Sequence, residues 1–476
     1  MKREFLINIG FLLLVNILIK PVYIFFIDSR AQDILGHHIY GQYFALFNLA
    51  YILSIFTDLG IQNYNSRMIA QNKELLSSYL ANILFFKIFL SMIAFVVGIG
   101  ITLLLGYQKQ AILIFCLILI NQFLMSFILY LRSNISASGK YRWDSIISVI
   151  DKLLLIIILG VMLYTSIYNS FNIYYYILSQ TAVFASVLLV VLIVNFKLAQ
   201  NFSLNISKKF IGEILRSSLP YSYVIIMMAV YMRIDGFLLE RILPSPYQAG
   251  VYAAAYRIFE AFNNLGYLFA VLLLPMFASL LSNKKKLVHL ISISHNLLLI
   301  LSATASIVTI LFSKEIMNFI YPVGYNELYS KVLILLMISF FSVCMNYIYG
   351  TFLTAAGKVN LINKTVLIAV LINVSLNLIL IPYHGAEGAA LTSIITQYFV
   401  LSVQYYLTIK YLQTGFVYKI FVSRLLFIVI LLGLGILLRN ISEISWYVSA
   451  IVTGLISLSM AYVGKLIKFS DFKREL

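Results

Sequence analysis

Runs of about 20 apolar residues recur along almost the entire chain and constrain its fold more than any other feature. A helix of that length crosses the hydrocarbon core of a bilayer, where every backbone polar group needs a partner inside the protein. Hydrophobic residues make up 62% of the sequence and charged residues only 11%, which is outside the range of soluble domains. We therefore predict an all-α polytopic membrane protein.

About fourteen of these runs are long enough to be transmembrane helices. The predicted spans are 5–27, 39–60, 80–105, 111–131, 144–164, 174–195, 218–240, 250–274, 288–312, 330–354, 360–381, 386–409, 419–438 and 444–466. The first run contains Lys20-Pro21 and leads directly into the second. We expect it to be an uncleaved helix rather than a signal peptide, because it is too long for a signal peptide's apolar region.

Lys and Arg are distributed unevenly between the loops on the two sides of the predicted bundle. Both termini and the loops on their side carry most of them, including Lys284 to Lys286 and the tail from Lys465 onward. The opposite side carries isolated residues such as Arg30 and Arg241. Because cytoplasmic loops are enriched in basic residues, we expect both termini in the cytoplasm. Topology thus accounts for most of the net charge of +17, and we expect no nucleic-acid partner.

Two short patterns occur once in each half of the chain and indicate an internal repeat. SASGK at 136–140 corresponds to TAAGK at 354–358, and Gly-x-Tyr occurs at 41–43 and again at 250–252. Six helices per copy leave both copies in the same orientation, and parallel repeats of this kind commonly hold substrate where the halves meet.

Four parts follow from the repeat and the loop lengths. An amphipathic cytoplasmic linker, with Ile211, Ile214 and Leu215 at helical spacing, connects the two lobes. The predicted parts are an N-terminal lobe at 1–195, the linker at 196–217, a C-terminal lobe at 218–409, and two further helices with a cytoplasmic tail at 410–476.

Charged residues inside predicted spans mark candidate functional positions, since burying a charge in a membrane costs several kcal/mol. The stretch from Tyr221 to Phe262 carries four of them: Arg233, Asp235, Arg257 and Glu260. Arg257 and Glu260 are three residues apart on one helix face, so an ion pair without substrate contact is the alternative to a ligand role. Arg233 and Asp235 cannot share a face, and a structural pair of Asp235 with Arg233 of a neighbouring turn or with Lys364 is the alternative for Asp235.

Several segments resemble Wzx-type polysaccharide flippases, which belong to the MATE/MOP exporter superfamily. They are the LG-x-x-x-YG-x-Y turn at 35–43, the DLG-I sequence at 58–61, the SASGKYRW loop at 136–143, the stretch at 233–262 and INVSLNLILIPYHGAEGAALTS at 372–393. The resemblance implies a V-shaped, alternating-access transporter with two six-helix lobes, to which helices 13 and 14 are appended as in lipid II flippases.

The same resemblance implies a function. The chain would move undecaprenyl-pyrophosphate-linked oligosaccharide repeat units, as used for O-antigen or capsule, from the cytoplasmic to the outer leaflet of the bacterial inner membrane. An ion gradient would drive the transport. Expected partners are the lipid-linked glycan, membrane lipids, and a polysaccharide polymerase with its chain-length regulator.

Cations inside the membrane are the candidates for binding pyrophosphate. Arg257 and Lys20 occupy places where flippases of this kind carry cavity-lining cations, and Arg233 is a third candidate. The planar guanidinium suits phosphate because it can form two parallel hydrogen bonds. Glu260 and Asp58 complete the predicted cavity charges, although the position of Asp58 before Leu59-Gly60 favours a role in fixing the helix end.

Asp235 is the candidate for ion coupling. In lipid II flippases a carboxylate in helix 7 joins groups of helices 11 and 12 at a sodium site, and this chain offers Asn373, Asn377 and Ser393 in the matching segments. The coupling ion would be Na⁺ at these oxygen atoms, or H⁺ through protonation of Asp235. We expect no other metal and no cofactor.

We expect no enzymatic activity, because the sequence contains no nucleophile constellation, metal motif or phosphate-binding glycine loop. Three alternatives remain open: a multidrug or cation antiporter of the same superfamily, a lipid II flippase, and a non-transporting scaffold of polysaccharide assembly. An antiporter for cationic drugs would favour an acidic or aromatic cavity, whereas the predicted cavity cations make this one basic. In a scaffold, the intramembrane charges could be replaced without loss of transport.

Overall fold

The computed structural model describes residues 18–165, 169–199, 208–413, 418–441, 445–464 and 466, and within them the chain is helical without strands. We number the helices in chain order, with α1 a short π-helix. They are α1 (Tyr23–Asp28), α2 (Ser29–Ile55), α3 (Ile61–Gln71), α4 (Leu75–Leu104), α5 (Lys109–Ala137), α6 (Tyr141–Tyr164), α7 (Ile173–Ala199), α8 (Lys208–Ile242), α9 (Tyr247–Ser279), α10 (Lys284–Leu311), α11 (Ser313–Ile320), α12 (Glu327–Ala355), α13 (Val359–Leu412), α14 (Tyr418–Arg439) and α15 (Trp446–Val463).

Ten helices of the described residues are long and apolar enough to cross a membrane. The prediction of an all-α polytopic membrane protein is therefore confirmed. The count of about fourteen spans stays a prediction, because α13 contains two predicted spans and residues 5–17 of the first predicted span lie outside the described residues.

The helix α13 contains two predicted spans, 360–381 and 386–409, in one run of 54 residues. Pro382 lies inside it, and Gly385 has non-helical angles of φ 53° and ψ −128°. Pro382 has no N–H to donate to the preceding turn, and Gly385 tolerates a positive φ that other residues avoid. The predicted turn at 382–385 is thus a kink rather than a loop.

The connection between the first two predicted spans differs from the prediction. Residues 28–38 were expected to form an outer turn, but they are helical. The helix is kinked at Gly36, where φ is 77°. The polar residues from Asp28 to Asp33, apart from Arg30, are buried, whereas His38 is exposed. Gln32 is 0% exposed and donates to the Gly250 carbonyl at 2.8 Å. Tertiary contacts satisfy the polar groups that made the segment resemble a loop.

The predicted loop after span 2 contains a short helix, α3. Gly60 precedes it in the left-handed conformation with φ 74°, and Ile61, Asn65 and Ile69 form its buried face. Asn65 donates to Asn134 on α5. This amphipathic helix therefore packs on the protein, against α4, α5 and α8.

The described residues divide into two compact units, within Met1–Ala253 and Ala254–Leu476. In the first, α2 packs against α4, α5, α7 and α8. In the second, α12 packs against α10, α11 and α13, and the α14–α15 pair packs against α10. The predicted linker from Lys208 onward and span 7 form one helix, α8, whose Ile214 is buried, and this helix belongs to the first unit. Residues 200–207 of the predicted linker lie outside the described residues. The predicted lobe boundaries stay a prediction.

Candidate functional site

Asp235 is buried in the first unit, where α8 meets α2. Its side chain accepts a hydrogen bond from the Tyr252 hydroxyl at 3.0 Å, and Asp235 is 2% exposed. The next residue, Gly236, packs so closely that a Cβ atom there would lie 2.4 Å from Asn48 Nδ2 and from Phe44 Cε1, both on α2. The carboxylate is therefore held at a tight helix–helix contact.

Arg233 also faces α2. Its guanidinium lies over the Tyr51 ring, 4.9 Å from the centroid, which is within the range of a cation–π interaction. Both charged residues of α8 thus have aromatic partners within the first unit, Arg233 the Tyr51 ring and Asp235 the Tyr252 hydroxyl.

The two Gly-x-Tyr motifs that indicated the repeat lie against each other. A Cβ atom on Gly41 would lie 2.1 Å from the Pro246 carbonyl oxygen and 2.6 Å from the Gly250 nitrogen. A Cβ atom on Gly250 would lie 2.2 Å from the His37 carbonyl oxygen. Glycine at both positions lets the backbone of α2 touch the α8–α9 turn on the predicted outer side of the membrane.

A second contact on the predicted outer side holds the end of α8. The Tyr107 hydroxyl, in the α4–α5 turn, donates to Glu240 Oε2 at 2.5 Å. The Arg241 guanidinium lies 4.6 Å from the Tyr107 ring centroid and donates to the Leu105 carbonyl at 3.0 Å. Burial, followed by the hydrogen bond to Glu240, raises the pKa of the Tyr107 phenol above its usual range, so the phenol remains the donor.

Arg257 and Glu260 form the ion pair that their spacing allows. Arg257 Nη1 lies 2.9 Å from Glu260 Oε2, and the two side chains are 10% and 20% exposed. Both residues lie on α9 within the second unit. The guanidinium is buried and carries a carboxylate partner from its own helix.

The remaining residues of the predicted ion site lie on α13 in the second unit. Asn373 and Asn377 are buried, and Asn377 Nδ2 donates to Asn373 Oδ1 at 3.1 Å. Ser393 follows the kink and is half-buried. Asp235 belongs to the first unit, so the four residues of the predicted site are described in two separate units. Among the described residues, no group of three His, Cys, Asp or Glu side chains could hold a metal ion.

The structure shows a buried carboxylate that the sequence analysis did not single out, Asp28 at the end of α1. It is 2% exposed and accepts hydrogen bonds from the hydroxyl groups of Tyr40, at 2.9 Å, and Tyr176. In the sequence, Asp28 directly follows predicted span 1, at a helix end where a carboxylate is ordinarily solvated. Its burial becomes evident only from Tyr40 and Tyr176, which are distant in the sequence.

Lys20 is half-buried and precedes Pro21 and the π-helix α1, a helix type that is frequent at functional sites.

Asp58 is the partner of a fully buried lysine. Lys87 is 0% exposed, and its Nζ donates to Asp58 Oδ1 at 2.7 Å, Ser126 Oγ at 3.0 Å and the Thr57 carbonyl at 3.3 Å. These bonds join the turn after α2 to α4 and α5. The role of Asp58 in fixing the helix end stays a prediction.

Comparison with known proteins was made by sequence and by structure. The family described as polysaccharide biosynthesis protein matches residues 5–281, more than half of the chain. No curated protein sequence matches the chain. The resemblance to Wzx-type flippases is therefore supported by a family whose members serve polysaccharide biosynthesis.

Solved structures with the same fold are membrane transporters. The lipid II flippase MurJ in an inward closed conformation superposes with a TM-score of 0.67 at 16% identity, covering 92% of this chain and 98% of that one. An inward-facing multidrug resistance MATE family transporter of the MOP superfamily gives a TM-score of 0.61 at 16% identity, covering 83% and 96%. An outward-facing structure of a MATE family transporter gives 0.57 at 15% identity, covering 86% and 96%. The fold is thus that of MOP-superfamily transporters.

Proposed function

We propose that this chain, which belongs to the polysaccharide biosynthesis protein family, is a flippase for undecaprenyl-pyrophosphate-linked oligosaccharides. It would carry the repeat units from the cytoplasmic to the outer leaflet of the bacterial inner membrane by ion-coupled alternating access, with both termini in the cytoplasm. The observation that carries the proposal is the buried Arg257–Glu260 pair on an apolar, membrane-length helix. Such a pair is costly to bury, and packing alone does not require it.

The pair can exchange partners when substrate binds. Glu260 lies 2.9 Å from Arg257, so its carboxylate offsets the charge of the guanidinium. A pyrophosphate offers the guanidinium stronger, bidentate acceptors than one carboxylate oxygen. Release is then assisted by the return of Glu260, which competes with the departing phosphate.

Removing both charges together distinguishes transport from packing. We expect Arg257→Met to abolish export and to destabilise the protein, since it removes the guanidinium that pairs with the half-buried Glu260 carboxylate. The Arg257→Met/Glu260→Gln double variant should recover folding, because uncharged replacements of a buried pair are often tolerated. If Arg257 binds substrate, the double variant folds but does not complement a flippase-deficient strain. Restored export would show that the pair serves packing only, as a scaffold would predict.

The exposed pair Lys314–Glu327 provides the matched control. Its side chains are 58% and 75% exposed at a distance of 3.3 Å. A Lys314→Gln/Glu327→Gln double variant, expressed at the same level, should export normally because exposed pairs contribute little. Loss of export in this control would show that the assay reports on charge removal in general.

Two buried carboxylates are candidates for ion coupling in this proposal, Asp235 with its Tyr252 partner and Asp28 with Tyr40 and Tyr176. Each can hold a proton or, with further oxygen ligands, a sodium ion. Asp235→Asn should keep the hydrogen bond to Tyr252 yet weaken transport and its dependence on the ion gradient. Unchanged ion dependence in Asp235→Asn would leave Asp28 as the coupling group, and the same measurement on Asp28→Asn then decides.

The aromatic surroundings of Asp28 bear on the drug-exporter alternative. A carboxylate beside several tyrosines suits a cationic drug, but the protein's own Lys152 lies over the Tyr23 and Phe184 rings, 4.6 and 5.7 Å from their centroids. A cation of the protein itself therefore already uses two aromatic rings of this unit. We expect no drug-resistance phenotype on expression, and resistance to cationic dyes would favour the antiporter instead.

A further inference from the structure

The second half of α13 has a polar buried face, although α13 is long and apolar enough to cross a membrane. From residue 391 onward its buried residues are Thr392, Thr396, Gln397, Val400, Gln404, Thr408 and Leu412. Only Val400 and Leu412 in this set are apolar, whereas the exposed side of the same segment carries large apolar and aromatic residues such as Ile395 and Tyr406. Polar groups buried inside a membrane protein need hydrogen-bond partners, because leaving them unpaired is costly.

Four side chains of this face have an oxygen atom without a hydrogen-bond partner among the described residues. They are Thr392, Thr396, Gln404 and Thr408, which are 0%, 0%, 5% and 3% exposed. Threonine inside a helix commonly donates to a carbonyl one turn earlier, as Thr365 does to Leu361 at 2.9 Å. The three threonines of the polar face do not, so their hydroxyl groups are left for a ligand.

The helix α12 lies opposite this face and adds a further polar group. Asn346 Nδ2 donates to Gln397 Oε1 at 3.3 Å, and Asn346 Oδ1 has no partner within the described part of the chain. One turn further along α12, a Cβ atom on Gly350 would lie 3.1 Å from Gln404 Oε1. Glycine at this position offers the amide no side-chain partner. Amide and hydroxyl groups are thus concentrated between α12 and α13 in the second unit.

The polar face extends across most of the membrane. Thr392 and Thr408 are 16 residues apart, or about 24 Å along the helix axis, and a hydrocarbon core is about 30 Å thick. Thr408 lies one turn before the end of α13 on the predicted cytoplasmic side. Thr392 directly precedes Ser393, a residue of the predicted ion site. The face therefore runs from the cytoplasmic end of α13 toward that site.

We propose that α12 and α13 enclose a file of water molecules along this face, through which a monovalent cation moves between the predicted ion site and the cytoplasm. Water suits these side chains because it bonds both hydroxyl and amide groups and needs two to four polar partners. None of the lining side chains is charged, so a cation is solvated without being held tightly, as conduction requires. The cation's role rests on the proposed function, whereas the water file does not.

A small thiol-reactive cation tests whether the face is hydrated. Ag⁺ is added to inverted membrane vesicles that contain the full-length protein with Thr396→Cys or Thr408→Cys, in a background without Cys116 and Cys344. Free thiol is measured after purification and denaturation. Cysteine is close to threonine in size, so both variants should fold; should one aggregate on size-exclusion chromatography, the other decides.

The native Cys344 is the matched control, present alone in a Cys116→Ala protein. It is 2% exposed on α12, but it faces α9, where a Cβ atom on Gly266 would lie 3.2 Å from its Sγ. The cysteines of the polar face should react at least about 10-fold faster than Cys344, which becomes accessible only when packed helices open locally. Rates as slow as that of Cys344 would overturn the water file, whether or not the protein exports glycan.

Gln404→Leu tests the direction of the path. Gln404 lies between Thr408 and Thr396 on the face, so an apolar side chain there should slow the reaction of Thr396→Cys and leave that of Thr408→Cys unchanged. Unchanged reaction at both positions would show that cations do not pass Gln404 and would overturn the path. In an exporting protein with hydrated cysteines, unchanged ion dependence of export in Gln404→Leu would overturn the cation's role alone.

Discussion

The close contact between Gly41 and Gly250 gives the sharpest test of alternating access. A methyl group on Gly41 would lie 2.1 Å from the Pro246 carbonyl oxygen, whereas ordinary van der Waals contact begins at 3.4 Å. The opposing atoms belong to the backbone, so no side chain can rotate away and α2 must separate from the α8–α9 turn. Overpacking of this kind costs roughly 1–3 kcal/mol. We expect Gly41→Ala to raise the population in which this contact is open by about 5- to 150-fold.

A buried cysteine can report on the opening of this contact. Ala249, next to Gly250, is 0% exposed and lies on the predicted outer side. In a background in which Cys116 and Cys344 are replaced by alanine, Ala249→Cys should react slowly with a membrane-impermeant maleimide applied to whole cells. Adding Gly41→Ala should increase the labelling rate, because the separated segments admit the reagent.

Gly100→Ala is the matched control for this experiment. Gly100 also lies in an apolar helix, but a Cβ atom there meets nothing within 4 Å. Gly100→Ala should therefore leave labelling and export unchanged. Equal labelling rates in the two alanine variants would refute the argument that steric contact at Gly41 keeps the outer side closed.

Three further predictions concern stability, each measured by thermal unfolding of the purified protein. Lys87→Met leaves Asp58 without its partner and should cost about 3–5 kcal/mol, which Lys87→Met/Asp58→Asn should largely recover; a double variant no more stable than the single one would contradict this. Tyr107→Phe removes the hydrogen bond to Glu240 and should cost about 1–3 kcal/mol, whereas an unchanged midpoint would argue against this contact. Gly36→Ala meets no atom within 4 Å but has φ +77°, so it should cost about 1–2 kcal/mol from backbone strain alone, and no loss would mean that the kink relaxes.

The spacing of residues along the sequence was sufficient to predict one contact of the candidate site. The Arg257–Glu260 pair follows from its separation of three residues on a helix, and the structure contains it at 2.9 Å. Asp235 and Tyr252 are 17 residues apart, and Asp28 and Tyr176 are 148 apart. Such partners depend on how helices pack, which a single sequence does not specify.

The pattern of apolar residues predicted the positions of helices. It did not predict which polar segments are buried. Gln32 and Asp33 lie in a segment predicted to be an outer turn, yet they are 0% and 5% exposed within a helix. Gln32 donates to the Gly250 carbonyl, and Asp33 Oδ2 pairs with Arg30. The polar composition of this segment therefore led to a prediction of solvent exposure, whereas the structure provides partners inside the protein. A polar group can be buried when it is hydrogen-bonded.

The predicted repeat gives the contact between Gly41 and Gly250 a consequence that either glycine alone would not have. The two Gly-x-Tyr motifs occupy equivalent positions of the predicted repeat. A Cβ atom on Gly41 would lie 2.1 Å from the Pro246 carbonyl oxygen, and one on Gly250 would lie 2.2 Å from the His37 carbonyl oxygen, so each glycine faces the backbone of the segment that carries the other. Once alanine at one position has separated the segments, alanine at the other has less overlap left to relieve. The Gly41→Ala/Gly250→Ala double variant should therefore shift the labelling rate of Ala249→Cys by less than the product of the single effects, with a coupling of about 0.5–3 kcal/mol. Fully multiplicative effects would mean that the two glycines relieve separate contacts.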